Sequence, residues 1–270
     1  KTAYELSLGL VGSEMCIRDR GGVGKTTTAV NLSASLAAAH MKTVLVDCDP
    51  QANTTSGLGY SKQLERKSLY HLLSGEVSWS QVFLETEVEN LSLVSADKNL
   101  TGALLELVSV DHREYRLKEV LEPIHEKYDF ILLDCPPSLN LLTLNALVAA
   151  NTILIPMQCE YFSLEGVSEM LETVEQIKSR WNPTLVLEGI LLTMFDERTN
   201  LSHQVAEDIR AFFQDKVFET VIPRNVRLAE SPSYGQPIIQ YDIKSKGAMR
   251  YIQLAKEVIN NGKKGPWQGN

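Results

Sequence analysis

The stretch Arg20-Gly21-Gly22-Val23-Gly24-Lys25-Thr26-Thr27 decides the fold of this 270-residue chain. Its glycines let the backbone turn so that successive N–H groups face one anion, and the helix that follows, Thr28 to about His40, begins with its positive dipole end at that turn. In such a loop the segment Gly21, Gly22, Val23, Gly24, Lys25, Thr26 and Thr27 wraps a polyphosphate. Lys25 reaches the terminal phosphates, and the Thr26 hydroxyl ligates Mg²⁺. The competing reading is a Gly-rich surface turn without chemistry. The general pattern G-x-x-x-x-G-K-[ST] is matched only in part, because its first glycine falls on position 19, where Asp19 stands.

A phosphate loop must be fed by a buried strand, and in the residues just before it only Met15 to Ile17 have that character. Beyond the loop, apolar runs alternate with amphipathic segments, the pattern of a parallel sheet covered by helices. The runs predict strands at Thr43–Cys48, Leu91–Ser95, Phe130–Cys135, Thr152–Met157, Leu185–Met194 and Val217–Ile222. Helical spacing marks Tyr115–Lys127, Leu139–Ala150, Ser163–Arg180, Leu201–Gln214 and Ala248–Asn260. The fold class is therefore α/β: a single-domain P-loop NTPase fold, with a mostly parallel twisted sheet flanked by helices on both faces.

Ligands of open parallel sheets bind at the carboxyl ends of the strands, so an acid that closes an apolar run lands beside the loop. Asp134 closes Phe130-Ile131-Leu132-Leu133 and is expected to orient water around Mg²⁺. Its alternative is a cap on the helix near Leu139. In Asp47-Cys48-Asp49-Pro50-Gln51, Asp49 is placed to orient an attacking water while Asp47 helps hold the metal's shell; the alternative is an Asp-Pro turn.

Composition narrows the classes. With 44% hydrophobic residues the chain can bury one good-sized core. The most apolar stretch, Asn140 to Met157, is interrupted by Asn145, Asn151 and Pro156, which argues against a membrane span. The cysteines Cys16, Cys48, Cys135 and Cys159 lie far apart and point to neither a zinc site nor a disulfide framework, as in a reducing cytoplasm. The net charge is −8, yet Arg224 to Lys264 holds eight cations against three anions, a local +5 that leaves −13 elsewhere. A basic face on an acidic body suits contact with a phosphate backbone, although a charge run taken alone is usually a solvated face.

Several segments together carry a family resemblance. The loop resembles the K-G-G-x-G-K-[ST] variant of the ParA/MinD group of ATPases. Asp47-Cys48-Asp49-Pro50-Gln51-Ala52-Asn53, Asp134-Cys135-Pro136-Pro137-Ser138, Leu141 to Leu147, Glu160 to Gly166 and Ile222 to Glu230 follow in the order of ParA/Soj-type chromosome-partitioning ATPases. The resemblance covers residues 20 to about 260 and implies an ATPase domain of that extent, with a flexible basic tail over 261–270. One position departs. Arg20 stands where the group carries a signature lysine that reaches the partner subunit's nucleotide, and it takes that catalytic place here. Residues 1–19 read as a leader foreign to the domain, because Val11 to Arg20 resembles a peptide produced when adapter DNA is translated as coding sequence.

The resemblance further implies ATP and Mg²⁺ as cofactors, with Pro223 and Asn225 at the adenine. It implies an ATP-bound homodimer that binds double-stranded DNA without sequence preference, and a ParB-type protein that stimulates hydrolysis. Arg198, Arg224, Arg227, Lys244, Lys246 and Arg250 are the candidate DNA contacts, and the expected place is the nucleoid of a bacterial cytoplasm, with no stable membrane association. Four other readings stay open: a MinD-like membrane-cycling ATPase, an iron–sulfur reductase, an ATP-dependent ligase or synthase, and a nucleotide-binding scaffold without turnover. The first would need a basic amphipathic C-terminal helix free of the core; Met249, Tyr251, Ile252, Leu254, Ala255, Val258 and Ile259 instead read as a helix packed on the sheet.

Overall fold

The computed structural model describes residues 4–8, 22–160 and 163–264. Seven strands form one sheet: β1 (Tyr4–Leu8), β2 (Thr43–Asp47), β3 (Phe83–Glu85), β4 (Leu91–Val94), β5 (Phe130–Asp134), β6 (Thr152–Gln158) and β7 (Val186–Thr193), in the order β3-β4-β2-β5-β1-β6-β7. Every pairing is parallel except β3 with β4. The helices are α1 (Lys25–Ala38), α2 (Asn53–Gly57), α3 (Leu69–Leu73), α4 (Leu100–Glu106), α5 (Arg116–Leu121), α6 (Leu141–Ala149), α7 (Ser163–Arg180), α8 (Asn200–Phe213), α9 (Val226–Glu230), α10 (Ile238–Tyr241) and α11 (Lys246–Lys264).

Alternation along the strands sends neighbouring residues to opposite faces, and the core divides accordingly. Leu45, Leu132, Leu154 and Leu191 face α1 and α11, where Leu32, Leu36, Leu254 and Val258 complete one layer. Val44, Val46, Ile131 and Leu133 face the other way, onto Leu69, Leu117 and Leu142 of α3, α5 and α6. Ile153, Ile155, Ile190 and Leu192 extend that second layer onto α7 and α8 through Val174, Ile177, Ile209 and Phe213. The expected doubly covered parallel sheet is thus present, with an antiparallel edge strand, β3, that the sequence reading did not anticipate.

Two expectations are corrected, and a third falls in part outside the described residues. The strand before the phosphate loop is Tyr4–Leu8, inside the segment read as a leader, and it pairs with β5 from Tyr4↔Phe130 to Leu8↔Asp134. Met15 to Ile17, like Arg20 and Gly21, lie outside the described residues. Val217–Ile222 is not a strand but runs beside β7 through isolated bridges, Ile190↔Val217 and Phe195↔Pro223. Its middle leaves the sheet where the Glu257 carboxylate of α11 takes the amides of Glu219 (2.7 Å) and Thr220 (3.1 Å), the second of which a ladder with β7 would need. Tyr115–Lys127 is not one helix either: α5 gives way to a tight turn at Glu122–Ile124, since Pro123 has no N–H to continue the α ladder.

Candidate nucleotide site

Chain connections at the sheet centre leave in opposite directions, from β1 towards β2 and from β5 towards β6, and this opens a crevice at the carboxyl ends of β1, β5 and β2. The loop enters α1 there. Gly22 and Gly24 have φ of 115° and 84°, a left-handed region that glycine occupies without strain. A Cβ at Gly22 would meet nothing within 4 Å, so the turn faces open space rather than core. Lys25 is the first residue of α1.

Two residues that the sequence reading missed hold this turn from behind. The Thr193 hydroxyl, buried at the end of β7, lies 2.8 Å from the Val23 carbonyl and 3.1 Å from the Met157 carbonyl, tying the loop to two strand ends at once. Gln158, at the end of β6, donates its side-chain amide to the Gly22 carbonyl at 2.7 Å. With these carbonyls held at the back of the turn, its N–H groups are left for an anion. A polar residue closing an apolar run was the available clue in both cases.

The strand-end acids converge as expected. Asp47 and Asp134 are register partners on β2 and β5, and both are buried. Asp134 Oδ2 accepts from Thr26 Oγ (3.0 Å) and Thr54 Oγ (2.5 Å), while Oδ1 is buried with no partner. Burial pushes the Asp134 carboxyl up to about 6; the two hydroxyl donors and Lys25 pull it down and Asp49 raises it. Thr54 was not among the expected residues, although it directly follows the quoted Asp47–Asn53 segment.

Asp47 is placed differently. Its Oδ2 accepts from the amide (2.9 Å) and hydroxyl (2.7 Å) of Thr55, and its Oδ1 from the Asp49 amide (3.1 Å). These bonds fold residues 49–55 over the strand end. Burial, with the nearby Asp134 charge adding to it, raises the Asp47 carboxyl to about 8. Asp49 Oδ1 accepts from the Gln51 amide at 2.9 Å, and Ala52 takes a left-handed φ of 53°, so a tight turn carries Asp49 at the crevice.

Pro223 and Asn225 lie on the stretch beside β7. Asn225 caps α9 by accepting from the Leu228 amide, and Arg224 donates its own amide to the Phe195 carbonyl. The candidate cations are exposed, but several are already paired. Arg198 donates to both oxygens of Asp196, at 2.9 and 2.8 Å, which drives that carboxyl well below the usual range. Arg227 pairs with Glu230 (3.0 Å) and Asp242 (3.6 Å), and Lys246 with Glu197 (3.2 Å). Arg250 donates to Gln253, and Lys244 is exposed beside Asp242. Through these carboxylates Arg198 and Lys246 come together at residues 196–197, where the Arg224 charge also acts on Asp196.

In α11, Ala248, Tyr251, Leu254, Ala255 and Val258 are buried against the sheet, as read from the sequence, whereas Met249 is exposed. Among the described residues no helix is long and apolar enough to cross a membrane.

A family model described as an AAA domain matches residues 15–187. The chain is 52% identical over 250 residues to the chromosome partitioning protein ParA of Myxococcus xanthus, covering 92% of this chain and 88% of that one. It is also 52% identical to the sporulation initiation inhibitor protein Soj of Bacillus subtilis, over 90% of this chain and 96% of that one. Among solved structures, cobyrinic acid a,c-diamide synthase of Mycobacterium smegmatis with bound ATP analogue and magnesium is 32% identical, with a TM-score of 0.81 over 98% of this chain and 100% of that one. The septum site-determining protein MinD of Pyrococcus horikoshii, complexed with Mg-ADP, is 26% identical, with a TM-score of 0.75 over 95% and 96%. The strand-end acids, the loop and the shared length of chain agree: this chain belongs to the ParA/Soj chromosome-partitioning ATPases.

Proposed function

We propose that the chain is a partitioning ATPase that dimerises on ATP and Mg²⁺, binds double-stranded DNA non-specifically in that state, and hydrolyses ATP on contact with a ParB-type partner. The observation that carries the reading is the cluster under the loop. A buried carboxylate oxygen without a partner, Asp134 Oδ1, stands beside the Thr26 and Thr54 hydroxyls at the foot of an open glycine turn. An all-oxygen donor set of this kind suits a hard dication carried by a phosphate, so the residues present fit Mg²⁺.

In this reading the loop amides and Lys25 bind the phosphates, and Thr26 and Asp134 hold the metal, which when bound neutralises charge on the transferred phosphoryl group. Asp47 fixes the 49–55 turn through Thr55 and supports the metal's shell, and Asp49 orients the attacking water. Pro223 and Asn225 border the adenine. Arg20 acts in trans with a planar fork rather than a compact ammonium, and we expect Arg20→Lys to raise partner-stimulated turnover.

For DNA, Arg198, Arg224, Arg227, Lys244, Lys246 and Arg250 form the phosphate-contacting face, which places the ATP-bound dimer on the nucleoid in a bacterial cytoplasm. The partition reading is preferred over the synthase because identity is 52% to ParA against 32% to the synthase. It is preferred over membrane cycling because the apolar side of α11 is taken up by the core.

The test is Lys25→Ala. It should weaken ATP binding about 10- to 100-fold by calorimetry, in line with the loss of a charge-assisted contact. The same change should abolish ATP-dependent dimerisation in sedimentation and DNA retardation together. Unchanged ATP affinity would overturn the loop assignment. A parent chain that retards DNA equally with ATP, with ADP and without nucleotide would overturn the cycle.

A further inference from the structure

Residues 62–67, between α2 and α3, His71 of α3 and residues 97–99, before α4, line an open cavity of about 810 Å³ outside the nucleotide crevice. Lys62, Arg66, Lys67 and Lys98 line it against two carboxylates, Glu65 and Asp97, on a chain that is acidic overall. Among the described residues none of these four cations is in an ion pair. This is the reverse of the C-terminal face, where Arg198, Arg227 and Lys246 each face a carboxylate.

The lining is organised rather than merely charged. The Arg66 guanidinium sits over the Tyr60 ring, 5.3 Å from its centroid, and Nη2 donates to the Ser61 carbonyl at 2.8 Å; Nη1 is buried and has no partner. A guanidinium N–H buried without an acceptor is unfavourable until an acceptor arrives. Lys62 donates to the Gln51 carbonyl (2.6 Å) and Asn53 Oδ1 (2.7 Å), which leaves one of its three donors for a ligand. His71 Nδ1 accepts from the Ser68 amide at 3.1 Å, so the neutral ring carries its proton on Nε2, another donor in the lining.

We infer that this cavity is a second anion site, separate from the nucleotide loop, that takes the phosphate groups of a small phosphorylated ligand. A guanidinium fork, two or more ammonium groups and an imidazole N–H are the donor set that phosphate oxygens use. The concave shape and the two carboxylates in the lining favour a compact ligand over a continuous polyanion such as a DNA backbone. Through Lys62 the site adjoins Gln51 and Asn53, on the turn that carries Asp49.

The test uses radiolabelled inorganic pyrophosphate in equilibrium dialysis, with the chain saturated by a non-hydrolysable ATP analogue and Mg²⁺. One equivalent of pyrophosphate should bind beyond the nucleotide. The double variant Lys67→Gln/Lys98→Gln, whose side chains are exposed and whose folding is checked by its melting curve, should bind that equivalent about ten-fold more weakly. Arg66→Lys, which keeps the charge and loses the fork, should also weaken it. No additional equivalent, equal affinity in the double variant, or displacement of the label by a stoichiometric 20-bp duplex would each overturn the inference. Were the loop not to bind the analogue, two equivalents would bind, and only the one weakened by the Lys67/Lys98 change would belong to this cavity.

Discussion

The carboxylates at the strand ends and the cations of the C-terminal third are both charged groups assigned to binding in the proposed reading, but the fold treats them in opposite ways. Asp47 and Asp134 are buried, held by backbone amides and threonine hydroxyls, and raised towards the neutral form by desolvation. Arg198, Arg227 and Lys246 are exposed and balanced by their own neighbours, Asp196, Glu230, Asp242 and Glu197. The first region is rigid and short of positive charge, so a metal-bearing phosphate completes it. The second is compensated in part, so in the proposed reading an incoming phosphate backbone would displace carboxylates from Arg198, Arg227 and Lys246. A buried, preorganised acid pair and a screened, exchangeable cationic surface suit the nucleotide and DNA roles proposed above.

The largest effect should fall at the first region. Asp49→Ala keeps the loop, Lys25 and Asp134, so it should bind ATP and dimerise while phosphate release falls by about 100-fold or more. A variant that stays monomeric with ATP in sedimentation would remove Asp49 from its proposed role. Next in size is the buttress behind the loop. Thr193→Val is close to isosteric but removes the one hydroxyl proton that the Val23 and Met157 carbonyls share, and should cost roughly 1–3 kcal/mol of stability. A melting temperature lowered by roughly 3–10 °C would register it by circular dichroism. ATP binding should weaken as well, whereas a loop that positions itself unaided would keep its affinity.

The buried acids also set a pH dependence. Asp134 and Asp47 hold their protons to about 6 and about 8 in the folded chain, against an unfolded value of 3.8. Between pH 4 and 8 the folded state therefore binds more protons than the unfolded one, and stability falls as pH rises across that window. Melting curves of the nucleotide-free chain at pH 5, 6.5 and 8 should step downward, and Asp134→Asn should flatten the lower part of the trend. The Asp196 carboxyl titrates below this range and does not offset it.

The smallest effect belongs to the second region. Glu230→Gln frees Arg227 from one of its two carboxylates and should tighten DNA retardation by ATP-bound chain by about two- to five-fold, the scale of an exposed ion pair. Arg227→Glu should weaken it by more, with dimerisation intact. Equal retardation by all three proteins would show that the C-terminal cations are a solvated face and nothing else.

How far the sequence reached is seen in particular residues. That Thr26, Asp47 and Asp134 would meet at the strand ends was legible because glycine spacing and acids closing apolar runs are local patterns. Five of the six predicted strands were legible for the same reason. The strand at Val217–Ile222 was misread because its composition is that of a strand, while Glu257, distant in sequence, takes its amides. Thr193 and Gln158 are marked locally only as polar residues that close apolar runs; they reach the loop because β6 lies next to β1 in the sheet and β7 next to β6.

By itself the sequence determined the doubly covered parallel sheet, the phosphate loop and the acids at the strand ends, because hydrophobic periodicity and backbone freedom act over a few residues. Only the tertiary structure decided which strand feeds the loop and how Asp47 and Asp134 divide their hydrogen bonds. It also decided which cations are paired and which line an unneutralised cavity. Those outcomes depend on distances between residues far apart in the chain, and such distances are set by packing across the whole sheet.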